Sequence, residues 1–252
     1  MAEIESQVAM RASAARGATR QRVRSRFYVG IAVFMLAMIL VGFWPSYYGA
    51  LVRGAAEAPV ILHVHGAIFM GWMLLFILQT VVAARSDLRL HRSLGSFGIA
   101  YGALLWLVGL LVSFVAPVIN VNSGEWSVVD AAIFLPIPFG DMVLFGAFFL
   151  AAVLNRHRPE IHKRCMVVAT IAVCFAAAFR LQALGVSIPL AIAIWYVPLA
   201  ICMGYDLRKT RRVHPVYWIG AVAMAIALLR LPFGNTEFWL SFGVPLFESL
   251  TA

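Results

Sequence analysis

Charge is scarce in this chain. Only 12% of its 252 residues are Asp, Glu, Lys or Arg, about half of what a soluble domain of that length carries. Cysteine is scarcer still. Cys165, Cys174 and Cys202 all fall inside apolar runs, so they read as small buried hydrophobes and not as a disulfide framework. Several catalytic patterns are missing as well: there is no GxSxG, no HExxH, no CxxC and no phosphate-binding glycine loop. No lysine lies in the middle of an apolar run, which removes a retinal Schiff base. The last apolar run has no HxxxH pair, as the seven-helix zinc hydrolases related to progestin receptors and ceramidases would need.

What is present is hydrophobic: 63% of the residues. The apolar residues form seven runs, each close to the 20 or so needed to cross a bilayer. They are Phe27–Trp44, Val60–Ala84, Leu94–Val118, Asp130–Leu154, a hairpin from Cys165 to Tyr205 that turns near Gly185–Pro189 and supplies two, and Pro215–Leu231. The expected fold is all-α, a polytopic membrane helix bundle of about seven spans. Residues 1–26 read as a flexible basic cytoplasmic tail and 27–231 as the transmembrane domain. Residues 232–252 read as an interfacial segment, too broken for another span. The first run is longer than a signal-peptide core, so it reads as an uncleaved span.

The net charge of +9 could suggest nucleic acid as a partner, but the cations sit in short clusters between the apolar runs. Placing the N-terminus inside puts seventeen of the twenty Lys and Arg on one side, with Arg53 alone in an outer loop. Positive charge on the cytoplasmic side fixes topology. It gives N-terminus in, C-terminus out, a lipid bilayer as surroundings and no nucleic acid.

The Val60–Ala84 run stands out. His65, Trp72 and Gln79 recur every seven residues and share one helical stripe, which should face the protein interior. This run is the expected centre of the bundle. With the topology above, His63, His65, Asp141, Arg180 and Arg230 all occupy the outer half. Arg180 and Arg230 either snorkel to headgroups or join a site. Asp141 lies near the midplane, below a segment interrupted by Pro136, Pro138 and Gly140. It either locks helices by pairing with an arginine or lines a cavity with the carbonyls that the break frees. At the inner ends, His91, His157, His162 and His214 sit in basic turns, either as headgroup anchors or, for His91 and His162, as facing ligands of a haem iron or another metal.

The succession Trp44-Pro-x-Tyr47-Tyr48, Leu62-His63-x-His65-Gly66, Trp72, Gln79, Leu90-His91-Arg92-x-Leu94-Gly95 and His162-Lys163-Arg164 resembles a group of bacterial multi-pass membrane proteins. Its Leu-His-Arg-x-Leu-Gly element is similar to one in transmembrane b-type cytochromes and in assembly factors of haem–copper oxidases. The resemblance implies a bacterial inner (cytoplasmic) membrane, subunits of respiratory or other membrane complexes as partners, and haem b or a transition metal as cofactor, with His65, His91 and His162 as the positions to test. The chain departs from the di-haem pattern in lacking a second histidine a dozen or more residues along the same span. Three readings follow: a haem- or metal-dependent redox or respiratory-assembly protein, a small-molecule or proton-coupled carrier using His65, Asp141 and Arg180, and a non-catalytic accessory subunit.

Overall fold

The computed structural model describes residues 26–55 and 57–252, together with Gln7. The expected basic tail therefore lies almost wholly outside the described residues. Seven helices are long and apolar enough to cross a membrane. They are α1 (Arg26–Val52), α2 (Val60–Ala84), α3 (Leu88–Asn122), α4 (Val128–Leu154), α5 (Pro159–Leu184), α6 (Ile188–Thr210) and α7 (Pro215–Phe233). An eighth, α8 (Glu237–Thr251), is shorter. The protein is an all-helical, seven-span integral membrane bundle. Below, "inner" denotes the end that carries the basic turns, and "outer" its opposite.

Local chemistry sets where these helices start. Asp87 caps α3 by accepting from the Leu90 amide at 3.0 Å. Ser127 and Asp130 form a reciprocal capping box at α4. Proline occupies the first turn of α5, α6 and α7, where its missing N–H leaves no bond unmade. Gly185, at φ 83°, stops α5 in the left-handed conformation that glycine adopts without steric cost. Proline inside a helix does less than the sequence suggests. Pro117 lies within α3, which continues to Asn122, so the expected loop from Ile119 to Val129 shrinks.

The centre of the bundle is α5, not α2. In its most apolar window 61% of α5 is buried, against 22% for α2. The reason lies in side-chain size. Ala169, Ala172, Cys174, Ala177 and Ala178 are all fully or almost fully buried, and such small residues let neighbouring backbones approach. At Gly42 of α1 even a methyl group would collide with the Ala177 carbonyl. The polar stripe on α2 indicates which face turns inward; it does not make the helix central.

The inner end is held by charge. Arg164 of α5 meets Asp206 of α6 in a two-pronged contact, Nε to Oδ2 at 3.0 Å and Nη2 to Oδ1 at 2.6 Å, and both residues are buried. The third nitrogen, Nη1, donates to the Glu160 carboxylate at 2.7 Å and to the Glu160 carbonyl at 2.8 Å. Asp206 also accepts from the His214 amide at 3.2 Å, which brings in the start of α7. The guanidinium lies over the Tyr217 ring, 5.5 Å from its centroid. Every arm of the guanidinium is matched, the condition under which a buried ion pair stabilises a fold.

His214 caps α7, its Nδ1 accepting from the Val216 amide at 3.3 Å. That role needs a neutral ring. Burial, joined by the nearby Arg164 charge, lowers its pKa from the ordinary 6.5. The unfolded chain therefore takes up this proton at a higher pH than the folded protein does. Stability is full above about pH 6.5 and falls as the pH drops below it. Thermal unfolding of detergent-solubilised protein between pH 7.5 and 5 checks this. His214→Gln removes one proton's share of the acid slope; an unchanged slope contradicts the cap.

Candidate functional site

The polar groups expected in the outer half separate into two sets. Asp141 of α4 pairs with Arg230 of α7, Nη2 to Oδ1 at 2.5 Å, and both residues are buried. The guanidinium also lies 4.4 Å from the centroid of the Phe175 ring and presses on Gly140, where an added Cβ would come within 2.9 Å of Arg230 Cδ and Nη1. Arg230 thus does not snorkel. Of the two alternatives for Asp141, the locking pair is the one formed. Arg230 Nε and Nη1 nevertheless remain buried without a hydrogen-bond partner among the described residues.

The interruption of α4 is milder than Pro136, Pro138 and Gly140 suggest. The chain stays helical through Leu135, whose carbonyl still accepts from the Phe139 amide at 3.2 Å. Pro136 has no N–H to give the Ala132 carbonyl, and Trp239 of α8 supplies one instead, its indole donating at 2.7 Å. The residues expected to lie at the interface are therefore docked on the outer ends of α3 and α4. Phe247 is buried there beside Ala131, Ala132 and Leu135, with Phe114 and Val118 of α3 around them.

The second outer set comprises His63, His65 and Arg180. His63 Nδ1 lies 2.7 Å from the Tyr47 hydroxyl. His65 is stacked at a tilt on Phe69, ring centroids 4.1 Å apart, and its buried Nδ1 has no partner among the described residues. Arg180 is exposed. Its guanidinium lies 4.4 Å from the centroid of the Phe43 ring, Nη1 donates to the Ala176 carbonyl at 3.3 Å, and its charge reaches His65 electrostatically. Among the described residues, no direct polar contact joins this set to Asp141.

Further in, the α2 stripe carries a run of unmet polar atoms. Among the described residues, His65 Nδ1, Trp72 Nε1 and Gln79 Oε1 are all buried without partners, and so is His91 Nδ1 at the start of α3. Trp72 is wedged edge-on against Phe145 and Phe149 of α4. Indoles elsewhere behave otherwise. Trp106 donates to the Met142 carbonyl at 2.9 Å, Trp195 to Ile171 at 2.8 Å and Trp239 to Ala132 at 2.7 Å. Each buried orphan costs about 1–3 kcal/mol, so a row of them along one stripe marks a place where water or a ligand is expected.

His91 and His162 come within electrostatic reach of each other at the inner end. His162 is anchored on the backbone of a neighbouring helix. His162 Nδ1 lies 2.9 Å from the Ala152 carbonyl of α4, which makes it the protonated nitrogen and leaves Nε2 with the lone pair. The His91 ring lies near the Gln79 backbone of α2, and its buried Nδ1 has no partner among the described residues. A backbone carbonyl holding one ring nitrogen so that the other is presented is the arrangement that supports a metal-ligating histidine. Among the described residues no three His, Cys, Asp or Glu side chains gather as a metal site would require, so a donor set here consists of these two imidazoles. Sequence reasoning missed the Arg164–Asp206–Glu160 network. It counted Arg164 as a topology charge and passed over Asp206; a lone acid near the end of an apolar run is the signal that could have found it.

Comparison with protein-family models, curated proteins and solved structures gives no match. The functional reading rests on the residues themselves.

Asp141 and Arg230 yield a stability prediction. Asp141→Leu leaves a buried guanidinium without a counter-charge and is expected to cost about 3 kcal/mol. Adding Arg230→Met is expected to restore most of that loss. Thermal unfolding of the purified single and double variants measures both steps. A single variant as stable as the parent contradicts a locking role.

Proposed function

We propose that this integral membrane protein holds a haem, or another transition metal, at the inner ends of α3 and α5 and serves a redox or respiratory-assembly role. The observation that supports this reading most is the pair of histidines, His91 and His162. His162 has Nδ1 fixed on the Ala152 carbonyl, which leaves Nε2 as a ligand, and the His91 Nδ1 has no partner among the described residues. Two imidazoles are a ligand set that a haem iron would accept. Bound there, the iron would supply one-electron chemistry. The protein's own share is to set the tautomer of His162 and to hold α2, α3, α4 and α5 around the pair. Gln79, with its buried Oε1 unmet, adds a polar group beside the site.

A second reading is favoured by Arg180. It is an exposed cation at the outer end of α5, in electrostatic reach of His65, whose Nδ1 has no partner among the described residues, and it suits an anionic small molecule entering from that side. In that carrier reading Asp141 is not part of the site, because Arg230 already holds it.

Absorption spectra of detergent-purified protein, oxidised and then dithionite-reduced, with iron and metal analysis of the same sample, test the first reading. The expected result is a Soret band with reducible α and β bands at near-stoichiometric iron, lost in both His91→Ala and His162→Ala. A colourless, metal-free protein purified under conditions that retain haem overturns it and leaves the Arg180 side as the site. A cofactor retained in both variants removes these two ligands.

A further inference from the structure

A second feature lies away from both histidine sites, on the face that α4 and α7 share. These helices leave a groove of about 580 Å³ between them. Its walls include Gly140, Ala147 and Ala151 from α4 and Ala223 and Ala227 from α7, with Arg230 as its one charged residue. From Gly140 to Ala151 the slot runs about 16 Å at the helical rise, and the same length separates Ile219 from Arg230. Small residues at these positions keep the two helices from filling the space with their own side chains.

Arg230 gives the groove a polar end. It lies three residues before the end of α7, about 5 Å along the helix, beside Gly140 and Asp141 of α4 in the outer half of the bundle. One guanidinium arm is on Asp141, while Nε and Nη1 meet no acceptor among the described residues. The Arg230–Asp141 pair is neutral as a unit, so an anion at this end would face the Asp141 carboxylate. An uncharged acceptor oxygen is what the remaining N–H groups suit, after a small swing of the guanidinium off Gly140.

We propose that this groove is a specific lipid site, which takes one acyl chain of a diacyl bilayer lipid and places its ester carbonyl at Arg230. The chain lies along the small-residue wall between α4 and α7. The carbonyl accepts from the guanidinium nitrogens that the protein leaves unmatched.

Native mass spectrometry of the full chain, released from nanodiscs of diester phosphatidylcholine or of its diether analogue, tests this. The parent protein is expected to retain one lipid and to prefer the diester by about tenfold, the worth of one hydrogen bond to a charged group. Ala147→Phe, which fills the groove from an exposed position, is expected to lose that lipid while unfolding at the parent's temperature. Undiminished retention by Ala147→Phe overturns the groove as the site. Equal retention of diester and diether lipids by the parent overturns the Arg230 contact, and that comparison does not depend on how any variant folds.

Discussion

A bilayer interior offers polar groups no partner, and the arrangement of this bundle follows from that constraint. Among the described residues, four buried charges form two ion pairs: Arg164 with Asp206 on the inner side and Asp141 with Arg230 in the outer half. The inner pair ties α5 to α6 and, through the His214 amide, to α7. The outer pair ties α4 to α7. They differ in completeness. Every arm of Arg164 is matched, whereas Arg230 keeps two nitrogens without acceptors among the described residues. The inner network behaves as a fastening, and the outer one has spare bonding capacity.

The same distinction separates the aromatic residues. Trp106, Trp195 and Trp239 each close a contact by donating to a carbonyl on another helix, and Trp239 stands in for the amide that Pro136 lacks. These indoles act as directional pins, worth about 1 kcal/mol apiece and specific in register. Along α2 the pattern fails: His65, Trp72 and Gln79 each hold a buried polar atom with no partner among the described residues. Trp72 is packed against Phe145 and Phe149 yet has no acceptor among the described residues, unlike Trp106, Trp195 and Trp239, and His91 lies beyond the inner end of the stripe.

Much of this was legible in the sequence, and the failures have definite causes. Run length and the placement of arginines suffice for seven spans, and Val60–Ala84 is bounded to the residue because Pro59 and Arg85 punctuate it. The centrality of α5 was not legible. Burial there comes from alanines and cysteines, which look unremarkable in a hydropathy pattern, while the polar stripe of α2 drew attention to a peripheral helix. The Pro136–Gly140 segment looked like a break because the residue that repairs it, Trp239, lies over a hundred positions away. Of the candidate residues, Asp141 and Arg230 could be placed at compatible depths but not paired, since depth does not say which helices are neighbours. The involvement of Asp206 and Glu160 needed the same three-dimensional information.

The claim that a matched charge network fastens the inner end is tested most directly by a double-mutant cycle on Arg164 and Asp206, read by unfolding of the detergent-solubilised protein. Arg164→Met and Asp206→Leu are each expected to cost about 3–5 kcal/mol, because each strands a buried charge. The double variant should recover a large part of the loss, with a coupling of about 2 kcal/mol or more. Additive losses with no coupling would contradict the account, for the two side chains would then stabilise the bundle independently.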